Sequence, residues 1–367
     1  MQPESAIGTK FAQYLNRLEG LGQLDRIVID ECHTVLDSRP DFRPKMKEAG
    51  AVMVKRGVQM VYLTATLRPS EEQEFMQIMK VQIPPKQKFR APTTRPNIAY
   101  SVVEHKEGVD EMTSIQELVS QKLQQYPAPA KIIIYSSSID TIEEIGAQLG
   151  CHIYHASIGS AEAKSGIQER WERADGQVVV ASNAFGLGID QPDVRVVVHV
   201  GPIYQMAAYG QESGRAGRDR QPSEAIIMVG TGQQEALQKQ HARSRRQPAV
   251  HRAVITDADR KRVEREKVDQ FISGAQCRRI DLDRELDGRM NRRRCEEGEE
   301  RCDVCQKDDA MMEEGEALRE AYMAEQERGQ EILDSGIDMP SQSFDQASGQ
   351  SLDQASSQAS SPVMQAA

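Results

Sequence analysis

Three groups of residues carry types and spacings that could do chemistry. Asp30 and Glu31 are adjacent carboxylates closing an apolar run, IVIDECH over Ile27–His33. In a nucleotide hydrolase the first would hold Mg2+ through water and the second would orient and activate the attacking water. Taken alone, the run reads equally as a strand followed by an acidic turn. Gln211, Arg215 and Arg218 follow a Gly-rich loop that ends in Asp190. Guanidinium forks match phosphate oxygens. Buried strands, a Gly loop at a strand end and two arginines near a helix start describe a polyanion-handling edge of a parallel sheet. Cys277, Cys295, Cys302 and Cys305 repeat as C-x17-C-x6-C-x2-C. Tetrahedral S4 sites need four thiolates, and Cys302-x2-Cys305 supplies one close pair directly. A set of free surface thiols is the rival reading.

The elements that must position these groups follow from pattern. A weak helical period over residues 5–19 ends at Gly20 and Gly22, and strands are expected at Leu24–Ile29 and Val58–Leu63. Pro69 and Ser70 start a helix over Glu71–Met79. FRAPTTRP, Phe89–Pro96, is the best domain boundary. Strands then recur at Ile98–Val103, Lys131–Tyr135, His152–Tyr154, Val178–Ala181, Val194–Val200 and Ala225–Val229. Helices fall between them at Glu111–Gln125, Thr141–Leu149, Ala161–Arg173 and near Tyr204–Ser213. That alternation argues for an α/β fold, a right-handed doubly wound parallel sheet with helices on both faces. Helices are expected again at His241–Arg252, at Asp257–Lys267, and from beyond Cys305 to about Leu333. The final Ser/Gln-rich part, with SFDQASGQ followed by SLDQASSQ, lacks the apolar content to offset ordering entropy.

Composition bounds the rest. The 367 residues have a formal charge of −10, but from Asp308 onward 2 Lys/Arg face 13 Asp/Glu, leaving 44 against 43 before it. The acidity belongs to the tail, so the charge does not argue against nucleic-acid binding by the body. Four of the six cysteines cluster, which is metal-site usage in a reduced protein, not a disulfide framework. No apolar run is long enough to span a bilayer and no signal peptide is visible, so a soluble intracellular protein without a membrane partner is expected.

DECH, LTATL, ASNAFGLGID and QESGRAGRD, in this order, resemble the superfamily 2 helicases, and within them the RecQ DNA helicases. The resemblance runs from about Gln2 to Cys305, and the Gln/Ser tail suggests the fungal telomere-associated branch. It implies two RecA-like lobes with ATP between them. These would be an incomplete first lobe over 1–90, a second over 91–235, a helical zinc-binding module over 236–307 and a disordered acidic tail over 308–367. It also implies ATP-dependent 3′–5′ unwinding of DNA in repair and recombination, at single-stranded/duplex junctions, in the nucleus. Asp30 and Glu31 would be the magnesium and water-activating carboxylates. His33 and Thr64–Thr66 would couple nucleotide to DNA, and Gly188 and Asp190 would touch nucleotide and ribose. Gln211 would orient the γ-phosphate network, Arg215 and Arg218 would meet phosphate charge, and Arg218 would be the arginine finger. Ser136, Ser182 and Asn183 sit at strand ends that face nucleic acid in this fold, the four cysteines would hold structural Zn2+, and the tail could bind other proteins.

Departures from the family pattern are specific. No Gly-rich loop ending GK[ST] occurs in the sequence. Without it Asp30 and Glu31 have little to hold a triphosphate in register, so negligible ATP hydrolysis by this chain alone is expected. A missing phosphate-loop strand would also leave an apolar edge beside the strand that carries TAT. Asn183 stands where threonine is usual. In the loop 37–46 only Phe42 remains of an aromatic-rich DNA sensor. The runner-up reading is a non-catalytic DNA-binding or regulatory remnant, and an RNA-directed helicase is a third. Arg243, Arg245, Arg246, Arg252, Arg260, Lys261, Arg262 and Arg292–Arg294 offer a DNA-backbone contact, against solvated helix faces as the alternative.

Overall fold

The computed structural model describes residues 8–36, 56–173, 176–186, 189–244 and 256–334. Two strands, β1 (Arg26–Ile29) and β2 (Gln59–Tyr62), pair in parallel. Helices α1 (Thr9–Gly20) and α2 (Glu72–Met79) belong to the same part of the chain. Its small core joins Cys32, Val35, Phe75 and Met79, with Tyr62 meeting Phe75 edge-on at a centroid distance of 5.4 Å. Val28 and Leu63 are about half exposed.

The second sheet has six strands: β3 (Ile98–Glu104), β4 (Lys131–Ser136), β5 (His152–Tyr154), β6 (Val178–Ala181), β7 (Val194–Val200) and β8 (Ser223–Val229). Their order is β3-β8-β7-β4-β6-β5, and every pairing is parallel. β4 and β6 are buried along their whole length, as continuous apolar runs require when both faces are covered. One face packs against α3 (Glu111–Gln125) and α4 (Ile139–Leu149). The other carries Trp171 from α5 (Ala161–Glu172) and Tyr209 from α6 (Met206–Ser213). The doubly wound expectation therefore holds.

That second face does not stop at the sheet. α7 (Gln233–Ser244), α8 (Asp257–Ser273) and α9 (Arg278–Asp287) follow β8, and Leu237, Phe271, Leu282 and all four clustered cysteines share its core. α10 (Asp303–Asp334) then runs well into the segment assigned to an acidic tail, matching the helix expected to about Leu333. Residues 335–367 lie outside the described residues. Among the described residues no helix is long and apolar enough to cross a membrane.

The part that carries DECH is tied to this helical module by charge. Arg68, just past the Thr64–Thr66 turn, pairs with Glu71, Glu264 (2.7 Å) and Glu285, and Lys267 pairs with Glu264 (2.9 Å) and Glu285 (2.8 Å). Burial alone would raise the Glu264 pKa, but Lys267 and Arg68 outweigh it and hold it below the ordinary glutamate value. A carboxylate held down in the fold stabilises fully above its unfolded pKa and loses that contribution as pH falls through the folded value. Glu264→Gln should thus cost about 1–3 kcal/mol at neutral pH. The gap in melting temperature to the wild type should narrow below about pH 4.3; a gap unchanged at pH 3 would contradict the pairing.

Candidate functional site

The strand ends place the chemistry. β1 ends at Ile29, and the chain turns sharply so that Glu31 adopts φ 48°, a left-handed conformation costly for a side-chain-bearing residue. Local bonds hold that turn: Glu31 N–H donates to Asp30 Oδ1 at 2.9 Å, and Thr34 Oγ1 donates to Glu31 C=O at 2.9 Å. The 3-10 turn Cys32–Leu36 then brings His33 back beside the carboxylate. His33 Nδ1 lies 3.2 Å from Glu31 Oε2 and 2.9 Å from Thr64 Oγ1. Thr64 Oγ1 also accepts from Thr66 N–H at 3.2 Å, so the DECH and TAT turns form one hydrogen-bonded unit. Asp30 and Thr64 are exposed, whereas Thr66 is buried. The Glu31 carboxyl is held below the usual glutamate range, first by its hydrogen bond with His33 and then by the charges of His33 and Arg215, although its burial pushes the other way. The carboxylate expected to activate water is thus ionised near neutrality and feels an arginine of the second sheet.

That arginine is set into the fold. Arg215 follows α6, is 7% exposed, and donates to Gly186 C=O at 2.6 Å. Gly186 sits at φ 129°, and a Cβ there would overlap the Arg215 guanidinium. Only glycine leaves room for this stack. Tyr135 Oη donates to Phe185 C=O at 3.0 Å, fixing the same loop from beneath. Arg218 donates through Nη1 to Ile189 C=O and to Asp190 Oδ1, both at 2.7 Å. The residue expected to be the finger is therefore paired with the residue expected at the ribose. Gln211 is half-buried on α6, one turn before Arg215. Gly188 and Phe42 lie outside the described residues.

Sequence reasoning passed over Arg95. Its Nη1 donates to Gly217 C=O at 3.5 Å, and burial, then the like charge of Arg218, pull its guanidinium pKa down. Among the strand-end polar residues, Asn183 is exposed and Ser182 half-buried, its Oγ accepting from Ala184 N–H at 3.4 Å. Ser136 is buried and accepts from Ser138 N–H at 3.4 Å.

The four cysteines converge. Their Sγ atoms lie within 4.8 Å of one another and all four are buried. Backbone N–H groups point at the sulfurs, from Cys302 to Cys295 (3.3 Å), Cys295 to Cys305 (3.5 Å) and Cys305 to Cys302 (3.5 Å). Donors aimed at sulfur favour thiolate over thiol, and four buried thiolates would repel unless a cation sat among them. The donor set fits a tetrahedral S4 ion. The x6 gap is accommodated: Cys295 lies 3.7 Å from Cys277. Arg292 fits neither the DNA-backbone contact nor the solvated helix face that the sequence left open. It is buried and paired with Asp283 (2.5 Å) and Glu299 (2.7 Å), which its own backbone neighbourhood gave no reason to expect.

The second sheet is thus an all-parallel α/β sheet with arginines and a carboxylate at its strand ends. Residues 113–220 match the helicase conserved C-terminal domain. Within that class the similarity is to RecQ-family DNA helicases. The chain is 34% identical over 232 residues to the ATP-dependent DNA helicase Q-like 2 of Arabidopsis thaliana, covering 61% of this chain and 32% of that protein. It is also 34% identical over 215 residues to the ATP-dependent helicase SGS1 of Saccharomyces cerevisiae, covering 56% of this chain and 14% of that protein. It thus spans about a third or less of the length of these relatives. Among solved structures, S. cerevisiae Dbp5 bound to RNA and ADP BeF3 is 16% identical, with a TM-score of 0.45 over 68% of this chain and 64% of that one.

Gly186→Ala should destabilise the protein by about 1–3 kcal/mol. It should also alter the emission of Trp171, the sole tryptophan, whose ring lies 5.4 Å from Phe185 in the same loop. An unchanged melt and spectrum would contradict the glycine–arginine stack.

Proposed function

We propose that these residues belong to a RecQ-like, ATP-dependent 3′–5′ DNA helicase acting at single-stranded/duplex junctions in nuclear repair and recombination, and that this chain alone does not turn over ATP because its sequence carries no GK[ST] loop. ATP with Mg2+ would be its nucleotide, and Zn2+ would be the ion in the four-cysteine cluster. The observation that carries the reading is Glu31, ionised beside His33 and Thr64, within electrostatic reach of the buried Arg215. A water-activating carboxylate and a phosphate-facing arginine contributed by separate sheets are what phosphoryl transfer between two lobes requires. Asp30, exposed beside Glu31, is free to carry the magnesium. Gln211, Arg215, Arg218 and Asp190 supply the opposite wall, with Arg95 added. The Arg218–Asp190 pair would open as phosphate replaces the carboxylate. Thr64, Ser182 and Asn183 offer the DNA-facing polar groups.

A second reading is a non-catalytic DNA-binding or regulatory protein, in which Asp30 and Glu31 have no GK[ST] loop to work with. The two readings agree on DNA and differ on hydrolysis. The purified chain should bind a 3′-tailed duplex more tightly than a blunt one, with affinity falling steeply with salt, and should hydrolyse ATP negligibly by itself. Equal binding to blunt duplex would overturn the junction assignment. DNA-stimulated turnover at about 1 per second or faster, within the ordinary enzyme range, would overturn the view that the missing loop disables this chain.

A further inference from the structure

α10 carries a surface that none of the chemistry above uses. Within its stretch 312–334, Met312, Leu318, Tyr322 and Met323 are 59%, 73%, 60% and 58% exposed. On a helix of 3.6 residues per turn, Leu318 and Tyr322 stack one turn apart, and Met312 and Met323 border the same side. Carboxylates frame this side, Glu314 and Glu325 along one border and Glu316 and Glu327 along the other, and a single cation, Arg319, lies within it between Tyr322 and Met323. A polar helix that only faces water has no need of an apolar stripe.

We propose that this face docks a basic amphipathic helix of a partner protein. Charge selects the occupant. Residues 312–334 carry eight carboxylates against two arginines. Two copies laid together would oppose acid with acid along both borders. A helix with an apolar seam and flanking lysines or arginines would bury Leu318 and Tyr322 and pair its cations with the framing glutamates, the logic by which flanking charges set partner choice between helices. The proposal does not depend on nucleotide turnover or on the metal.

The test uses the full chain and two synthetic peptides of about three heptads, alike in a leucine seam and differing in lysine or glutamate flanks. The protein variant is Leu318→Gln/Tyr322→Gln, which leaves charge unchanged and removes only exposed side chains. By titration calorimetry the lysine peptide should bind at least about tenfold more tightly than the glutamate peptide. The double variant should lose about tenfold or more, with its circular dichroism unchanged. Equal binding of both peptides, no binding of either, or undiminished binding to the double variant would overturn the proposal. So would sedimentation as a dimer that the double variant abolishes, which would make the occupant a second copy.

Discussion

The arrangement of this protein depends on two arginines buried directly after the first clustered cysteine. Arg278 and Arg279 are 1% and 0% exposed, a burial that charged side chains tolerate only when their charge is answered. Arg278 forks onto Asp303 through Nε (2.8 Å) and Nη2 (2.7 Å), joining the residue after Cys277 to the residue after Cys302. Asp303 Oδ2 also accepts from Val102 N–H at 3.1 Å. Because β3 is an edge strand, that bond satisfies a donor the sheet leaves open and blunts the edge. Arg279 lies over the Tyr100 ring, and its Nη2 reaches the carbonyls of Arg95 (3.0 Å), Pro96 (3.1 Å) and Ile98 (2.8 Å). Removing one partner of a buried pair of this kind costs about 3–5 kcal/mol, so the cysteine module and the sheet edge cannot be separated cheaply.

These contacts link the four-cysteine cluster to the corner that carries Arg218 and Asp190. Arg279 fixes the backbone at Arg95, whose side chain reaches the Gly217 carbonyl, next in sequence to Arg218, at 3.5 Å. Asn97 donates to Gly217 C=O at 2.9 Å and to Gln221 C=O at 2.7 Å, tying the start of β3 to the turn that carries Arg218. On the other side, Arg68, Glu264 and Glu285 tie the DECH-bearing part to the same module. The helical region is therefore the common support for both walls of the candidate site, not an appendage added after them.

Local pattern made the second sheet legible and left its long-range chemistry hidden. Val178–Ala181 and Val194–Val200 read as buried parallel strands because apolar β-branched runs admit little else. Boundaries slipped where a single residue decides. α6 begins at Met206, not Tyr204, because Gln205 is still extended at φ −147° and ψ 132°. α8 runs to Ser273, where Gly274 in the left-handed region stops it, a signal the sequence did carry. The candidate residues were recognisable from motifs, but their partners were not. Nothing within a few residues of Arg292 reveals that Asp283 and Glu299 will bury it. The Gly186–Arg215 stack joins positions far apart in sequence, as does Arg279 with the Arg95 carbonyl. Such contacts exist only once the sheet order is set, so periodicity cannot report them.

Hydrogen exchange of the native protein with and without a metal chelator tests this coupling most directly. If the cluster supports the site through the buried arginines, chelation should raise exchange in three places together. These are residues 277–305, the strand 98–104 with the residues before it, and the turn 216–220. The far strands β5 and β6 should keep their protection. Faster exchange confined to 277–305, with 94–104 and 216–220 unchanged, would contradict the account.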